Sequence, residues 1–159
     1  MRRSLIVLFL LAALPQAARA QAAAPSAADT AAVMAVVQRV FDAMRARDTT
    51  MLRSAFAPGA RMVTPFVRQG QPEVRAEEVD GFVEAVGRPS EQQWDERIYH
   101  PEVRIDGGLA TVWVQYDFFL GERFSHCGVD AFQLARHADG WKIVALADTR
   151  QQQGCPARG

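Results

Sequence analysis

Residues 109–136 read LATVWVQYDFF, LGER and FSHCGVDAFQLAR, two extended runs rich in aromatic and β-branched residues around a Gly121-Glu122 turn signal. That pattern is a β-hairpin. Trp94 to Ile105 precedes it across Asp106-Gly107-Gly108, and Trp141 to Gln151 follows it across Asp139-Gly140, which extends the hairpin into a four-stranded antiparallel meander. If Leu120 faces Arg123, counting outward places Asp117 opposite His126 and Trp113 opposite Asp130. Gln115 and, from the last strand, Thr149 share that face. The opposite face carries Val112, Val114, Tyr116, Phe118, Val129, Val144 and Leu146 and is almost wholly apolar.

Upstream of the meander the period changes from two to between three and four. Val33, Val36, Val37, Val40, Phe41 and Met44 recur at helical spacing, with Asp29 or Thr30 available as a cap. Asp48 caps a shorter helix holding Met51, Leu52, Ala55 and Phe56, stopped by Pro58-Gly59. Arg61 to Val67 reads as a strand and Gln69 to Pro72 as a turn. A third helix starts near Glu77 and Glu78, carries Val79, Phe82, Val83 and Val86 on one face, and ends at Gly87. Helices followed by a sheet predict an α+β domain with the helices packed in the concave side of a curled antiparallel sheet.

The chain has 159 residues, 49% hydrophobic and 23% charged, enough for one domain with its own core. Residues 1–20 read as a signal peptide: Arg2 and Arg3, an apolar run from Leu5 to Leu14 too short to span a bilayer, then Ala18-Arg19-Ala20. Residues 21–29 read as an Ala/Pro-rich tether, 30–155 as the domain and 156–159 as a tail. The expected location is therefore periplasmic or secreted, with no membrane insertion after signal cleavage. Without residues 1–20 the chain keeps 15 basic residues against 18 acidic ones, which excludes the basic footprint of a nucleic-acid binder. The two cysteines of an exported chain suggest a Cys127–Cys155 disulfide, worth roughly 3 to 4 kcal/mol by loop entropy; two free thiols are the alternative.

The order of helices, the strand Met62-Val63-Thr64-Pro65-Phe66, the run Val129-Asp130-Ala131-Phe132-Gln133-Leu134 and the closing Trp141-Lys142-Ile143-Val144 resemble the nuclear transport factor 2-like superfamily, the cystatin-like cone that includes ketosteroid isomerase and SnoaL-like cyclases. Residues Phe124 to Asp130 resemble its lumazine-binding-like branch. The resemblance implies an α+β cone with a pocket, and a homodimer through the convex sheet face. Asp130 matches the oxyanion-hole acid of ketosteroid isomerase. Its general base falls on Thr64 and its tyrosine falls near Val40 in the first helix, so that catalytic set is incomplete and the reading leans away from an enzyme.

The face so identified nominates Thr64, Trp113, Gln115, Asp117, His126, Asp130 and Thr149 as ligand-binding residues. Asp117 beside His126 is either a carboxylate orienting a general base or a charge pair at the cone mouth. Asp130 is either a ligand contact or a buried structural carboxyl. His100, His126 and His137 lack metal-ligand spacing, and no phosphate loop or nucleophile elbow occurs, so neither a metal nor a cofactor is expected. The functional expectation is an exported protein that binds a small, partly apolar molecule. The alternatives are a lyase, isomerase or hydrolase using Asp117 and His126, and a structural module without a ligand.

Overall fold

A computed structural model describes residues 26–156. The signal-peptide reading, most of the tether and the last three residues lie outside them. The first helix, α1 (Ala27–Ala46), buries the expected stripe Val33, Val36, Val37, Val40, Phe41 and Met44. It starts inside the expected tether because Ser26, not Asp29 or Thr30, is the cap: the amide of Asp29 donates to Ser26 Oγ at 3.0 Å. Asp48 caps α2 (Thr49–Ser54) as its position suggests, accepting from the Met51 amide at 2.8 Å. The strand β1 (Phe56–Arg68) follows, then β2 (Gln71–Glu78), α3 (Val79–Gly87), β3 (Trp94–Asp106), β4 (Leu109–Leu120), β5 (Arg123–His137) and β6 (Gly140–Asp148). No helix among the described residues is long and apolar enough to cross a membrane.

The six strands form one sheet in the order β2-β1-β6-β5-β4-β3. All neighbours are antiparallel except β1 and β6, which run parallel, so the expectation of a purely antiparallel sheet is corrected at that one pairing. Strand β2 replaces an expected turn and helix start. Its segment has no apolar alternation, and it becomes a strand by pairing with β1, Thr64 against Arg75 and Phe66 against Glu73.

Register decides which side chains face inward. The turn at Gly121-Glu122 pairs Leu120 with Arg123 as counted, but Phe119 then pairs with Phe124 and Phe118 with His126, leaving Ser125 as an extra residue. This bulge moves every later pair by one, so Asp117 lies against Cys127 and not His126. A second bulge between Gln133 and Leu134 leaves Val144 extra on β6, so that Ile143 pairs with Leu134 and Leu146 with Phe132. A third, at His100 (φ 50°) and Pro101, breaks β3. Bulges bend strands and strengthen twist, and with the further register shift between Phe56 and Arg61 on β1 four such irregularities curl this sheet.

The consequence is that the assignment of faces is reversed for β4. Val112, Val114, Tyr116 and Phe118 are not the outer surface; each is at most 8% exposed and belongs to the core with the buried faces of α1 and α3. Leu146 is buried with them. The convex side instead carries Trp113, 53% exposed, together with Thr111, Ala131, Gln133, Ala145 and Ala147.

Candidate functional site

Between the concave sheet face, α1 and α3 lies a cavity of about 390 Å³. Its walls are apolar: Phe41 and Met44 come from α1, Phe82 from α3, and Trp94, Phe118 and Phe132 from the sheet. Trp94 meets Phe118 edge to face at 5.8 Å between ring centres, and Phe41 meets Phe132 in the same way at 6.1 Å. These walls follow from the period-two pattern of each strand: Trp94, Glu96 and Ile98 alternate inward on β3, as do Val114, Tyr116 and Phe118 on β4.

Polar groups converge on one part of this apolar space. Glu96 from β3 and Asp130 from β5 are hydrogen-bonded to each other. Burial pushes the Glu96 carboxyl up to about 7; the bond to Asp130 opposes that rise, and the charge of Asp148 adds to it. Asp130, 3% exposed, is raised well above the usual carboxylate range by burial, by the charge of Glu96 and by the same hydrogen bond. Two carboxyls in contact in a poorly solvated place hold a proton between them near neutral pH. Asp148 of β6 is differently placed. Thr64 donates to its Oδ1, and Arg150 donates from Nε to its Oδ2.

Tyr116 and His126 complete the polar set. Tyr116 donates its hydroxyl to the carbonyl of Thr149 at 2.7 Å, and burial with the neighbouring acids holds it protonated. His126 packs against the Phe118 ring at 4.9 Å and edge-on to Tyr116 at 5.7 Å, with Nδ1 3.0 Å from Ser125 Oγ. Burial, reinforced by Arg150, lowers its pKa and favours the neutral ring. Gly128 permits this arrangement: a Cβ there would fall 1.8 Å from the Thr149 carbonyl oxygen and 2.9 Å from the Tyr116 ring.

The structure therefore divides the expected site. Asp130 and His126 line the cavity, and Thr64 is buried against Asp148 beside it. Trp113, Gln115 and Asp117 alternate with the cavity residues of β4 and lie on its other face, so Asp117 stands opposite Cys127 and not His126. Thr149 accepts a hydrogen bond from the Val129 amide through its hydroxyl, and its carbonyl serves Tyr116. Cys127 and Cys155 are joined by a disulfide. Among the described residues, no group of three or more His, Cys, Asp or Glu could hold a metal ion.

The polar cavity residues Arg75, Glu77, Glu96, Tyr116, Asp148 and Arg150 are not among those the sequence nominates. A signal existed for Glu96, an acid between Trp94 and Ile98 at a position whose neighbours at i±2 are apolar. Tyr116 lies on the concave face and not on the outer one.

Comparison with known proteins agrees with this architecture. The profile of the family described as "Putative lumazine-binding" matches residues 28–147. No curated protein sequence matches. Among solved structures, a nuclear transport factor 2-like protein with a cystatin-like fold from Novosphingobium aromaticivorans superposes with a TM-score of 0.65 at 10% identity, covering 80% of this chain and 85% of that one. Similar proteins from Shewanella baltica (TM-score 0.60, 15% identity, 79% of this chain and 96% of that) and Silicibacter pomeroyi (TM-score 0.57, 22% identity, 77% and 95%) share the fold. The chain belongs to the family described as putative lumazine-binding, and its fold is the cystatin-like cone of nuclear transport factor 2-like structures.

Proposed function

We propose that this protein is an exported binder of a small, partly apolar molecule held in the cone. One observation carries the reading: a cavity of about 390 Å³, in the size range of small-molecule sites, has aromatic walls and a single convergent carboxyl pair, Glu96 and Asp130. Aromatic walls supply apolar contact, and the shared proton and free lone pairs of the pair supply orientation. The test uses Trp94, which lines the cavity, in a Trp113→Phe background to remove the exposed indole. 1-Naphthalenemethanol should quench it saturably. Gly81→Phe should abolish the quench, because Gly81 lines the cavity and a Cβ there meets nothing closer than 4.0 Å, so the ring enters without displacing backbone. Equal quenching in both proteins defeats the reading.

A second reading, proton transfer on the bound molecule, rests on Glu96 titrating at about 7, where a carboxyl can both take and return a proton. It replaces the Asp117–His126 mechanism, whose members lie on opposite faces of the sheet. Its test is deuterium incorporation next to the carbonyl of 1-acetonaphthone in D2O, lost in Glu96→Gln.

Export is part of the proposal and is supported by Arg2, Arg3, the apolar run and Ala18-Arg19-Ala20. So is a homodimer through the convex face. Trp113 stands exposed there beside Glu102 and Arg104, opposite charges that a twofold axis would bring into reciprocal register.

A further inference from the structure

The charges that line the cavity come from several elements: Arg75 and Glu77 from β2, Glu96 from β3, Asp130 from β5, Asp148 from β6 and Arg150 just beyond it. The two arginines are already matched within the wall. Arg75 Nε lies 3.9 Å from Glu77 Oε1, and Arg150 Nε lies 2.5 Å from Asp148 Oδ2. What is left is the Glu96–Asp130 pair, whose partner is another acid. Tyr116 and His126, the remaining titratable groups facing it, add no positive charge, because one stays a protonated phenol and the other is held toward its neutral ring. The wall is thus acidic by one carboxyl pair, in an apolar space lined by the Trp94, Phe118 and Phe132 rings.

An uncompensated carboxylate in such surroundings either takes up a proton or finds a cation. With Glu96 and Asp130 hydrogen-bonded to each other, the proton is the counter-charge they share. Aromatic faces also attract cations and add to the preference for a positive group over a neutral one of the same size. Building on the binding role proposed above, we propose that the cone selects a cationic ligand, an ammonium or amidinium group on an aromatic or aliphatic body, with the charged nitrogen seated between Glu96 and Asp130. Its N–H groups donate to both carboxylates and take the place of the shared proton. Binding therefore releases a proton, and affinity rises with pH until the pair is ionised.

The test compares three probes with one apolar body by titration calorimetry: 1-naphthylmethylamine, 1-naphthalenemethanol and 1-naphthoate. The amine should bind at least about tenfold tighter than the alcohol, and naphthoate most weakly. The heat of amine binding at pH 7 should differ between phosphate and Tris as a released proton requires, and its Kd should fall between pH 6 and 8. In Glu96→Gln/Asp130→Asn, which keeps the shapes, the amine should lose its advantage while the alcohol binds as before; Glu96→Gln alone supplies the same readout should the double variant fail to fold. Alcohol binding as tightly as amine, with the Gly81→Phe block intact, overturns the cationic class and leaves the cavity reading standing. An amine advantage that survives in the variants overturns the proposed seat. If none of the three binds the wild-type protein, the inference and the cavity reading fall together.

Discussion

Glu96 and Asp130 meet across an intervening strand. In register Glu96 lies beside Phe118 and Asp130 beside Val114, both on β4, so the two carboxyls are hydrogen-bonded over the strand that holds Tyr116 between those positions. Curl of the sheet brings β3 and β5 toward each other on the concave side, and a glutamate on one strand with an aspartate on the other closes the remaining distance.

This contact makes stability depend on pH. The folded protein holds a proton at Glu96 up to about pH 7, whereas an unfolded glutamate loses it near 4.5. Between those limits the native state binds the extra proton, so the contribution is fully present below pH 4.5 and is lost as pH rises through 7. His126, whose pKa is lowered, acts in the opposite sense and Asp130, raised together with Glu96, in the same one, so the readout is the difference between wild type and variant. Glu96→Gln should gain stability relative to wild type on going from pH 5 to pH 8, measured by urea unfolding. Parallel pH profiles for the two proteins would contradict the shared proton.

Gly128→Ala should be among the most damaging single-methyl additions in the chain. The new Cβ would sit 1.8 Å from the Thr149 carbonyl oxygen, which is backbone and cannot swing aside. A loss of about 3 kcal/mol or more is expected from such overpacking. Tyr116→Phe, which removes only the hydroxyl bonded to that same carbonyl, should cost about 1 kcal/mol. Thermal melts of both variants rank the two effects, and the reverse order would show that the tail yields to the methyl.

The Cys127–Cys155 disulfide spans 28 residues of sequence and fastens the chain end beside β5, where Cys127 and Gln151 also exchange two backbone hydrogen bonds of 2.9 Å. Protein made in an oxidising compartment should weigh about 2 Da less than its reduced form. Cys155→Ser should lower stability by about 3 kcal/mol. It should also speed amide exchange at Gln151, because the bridge holds the segment that carries Arg150 into the cavity wall. Two alkylatable thiols in the native protein would exclude the bond.

On the convex face the informative substitution is Trp113→Arg. Light scattering of wild-type protein at micromolar concentration should give the mass of two chains, and Trp113→Arg the mass of one with its circular dichroism unchanged. Val114→Arg, one residue along, should instead prevent folding, since Val114 is 0% exposed and an unpaired charge would enter the core. Wild-type protein that scatters as a single chain at every concentration would rule the dimer out.

Local chemistry made much of this fold readable. The α1 stripe, the Asp48 cap, the glycine turns and the alternation along β4 each depend on residues within a few positions of one another, and each is formed as its pattern suggests. The disulfide partners were legible by arithmetic, since there are two cysteines. Strand β2 was not legible, because its partner β1 and not its own composition makes it extended.

The site depended on tertiary structure for a specific reason. The alternation in residues 109–137 separates two faces, but which face is concave follows from register, and register is set by packing across strands. One extra residue, Ser125, exchanges the partners of Asp117 and His126, and no local pattern in that strand announces it. Glu96 and Asp130 stand 34 positions apart, and only the curl that places β3 and β5 on either side of a bent β4 turns two separate acids into one proton-sharing pair.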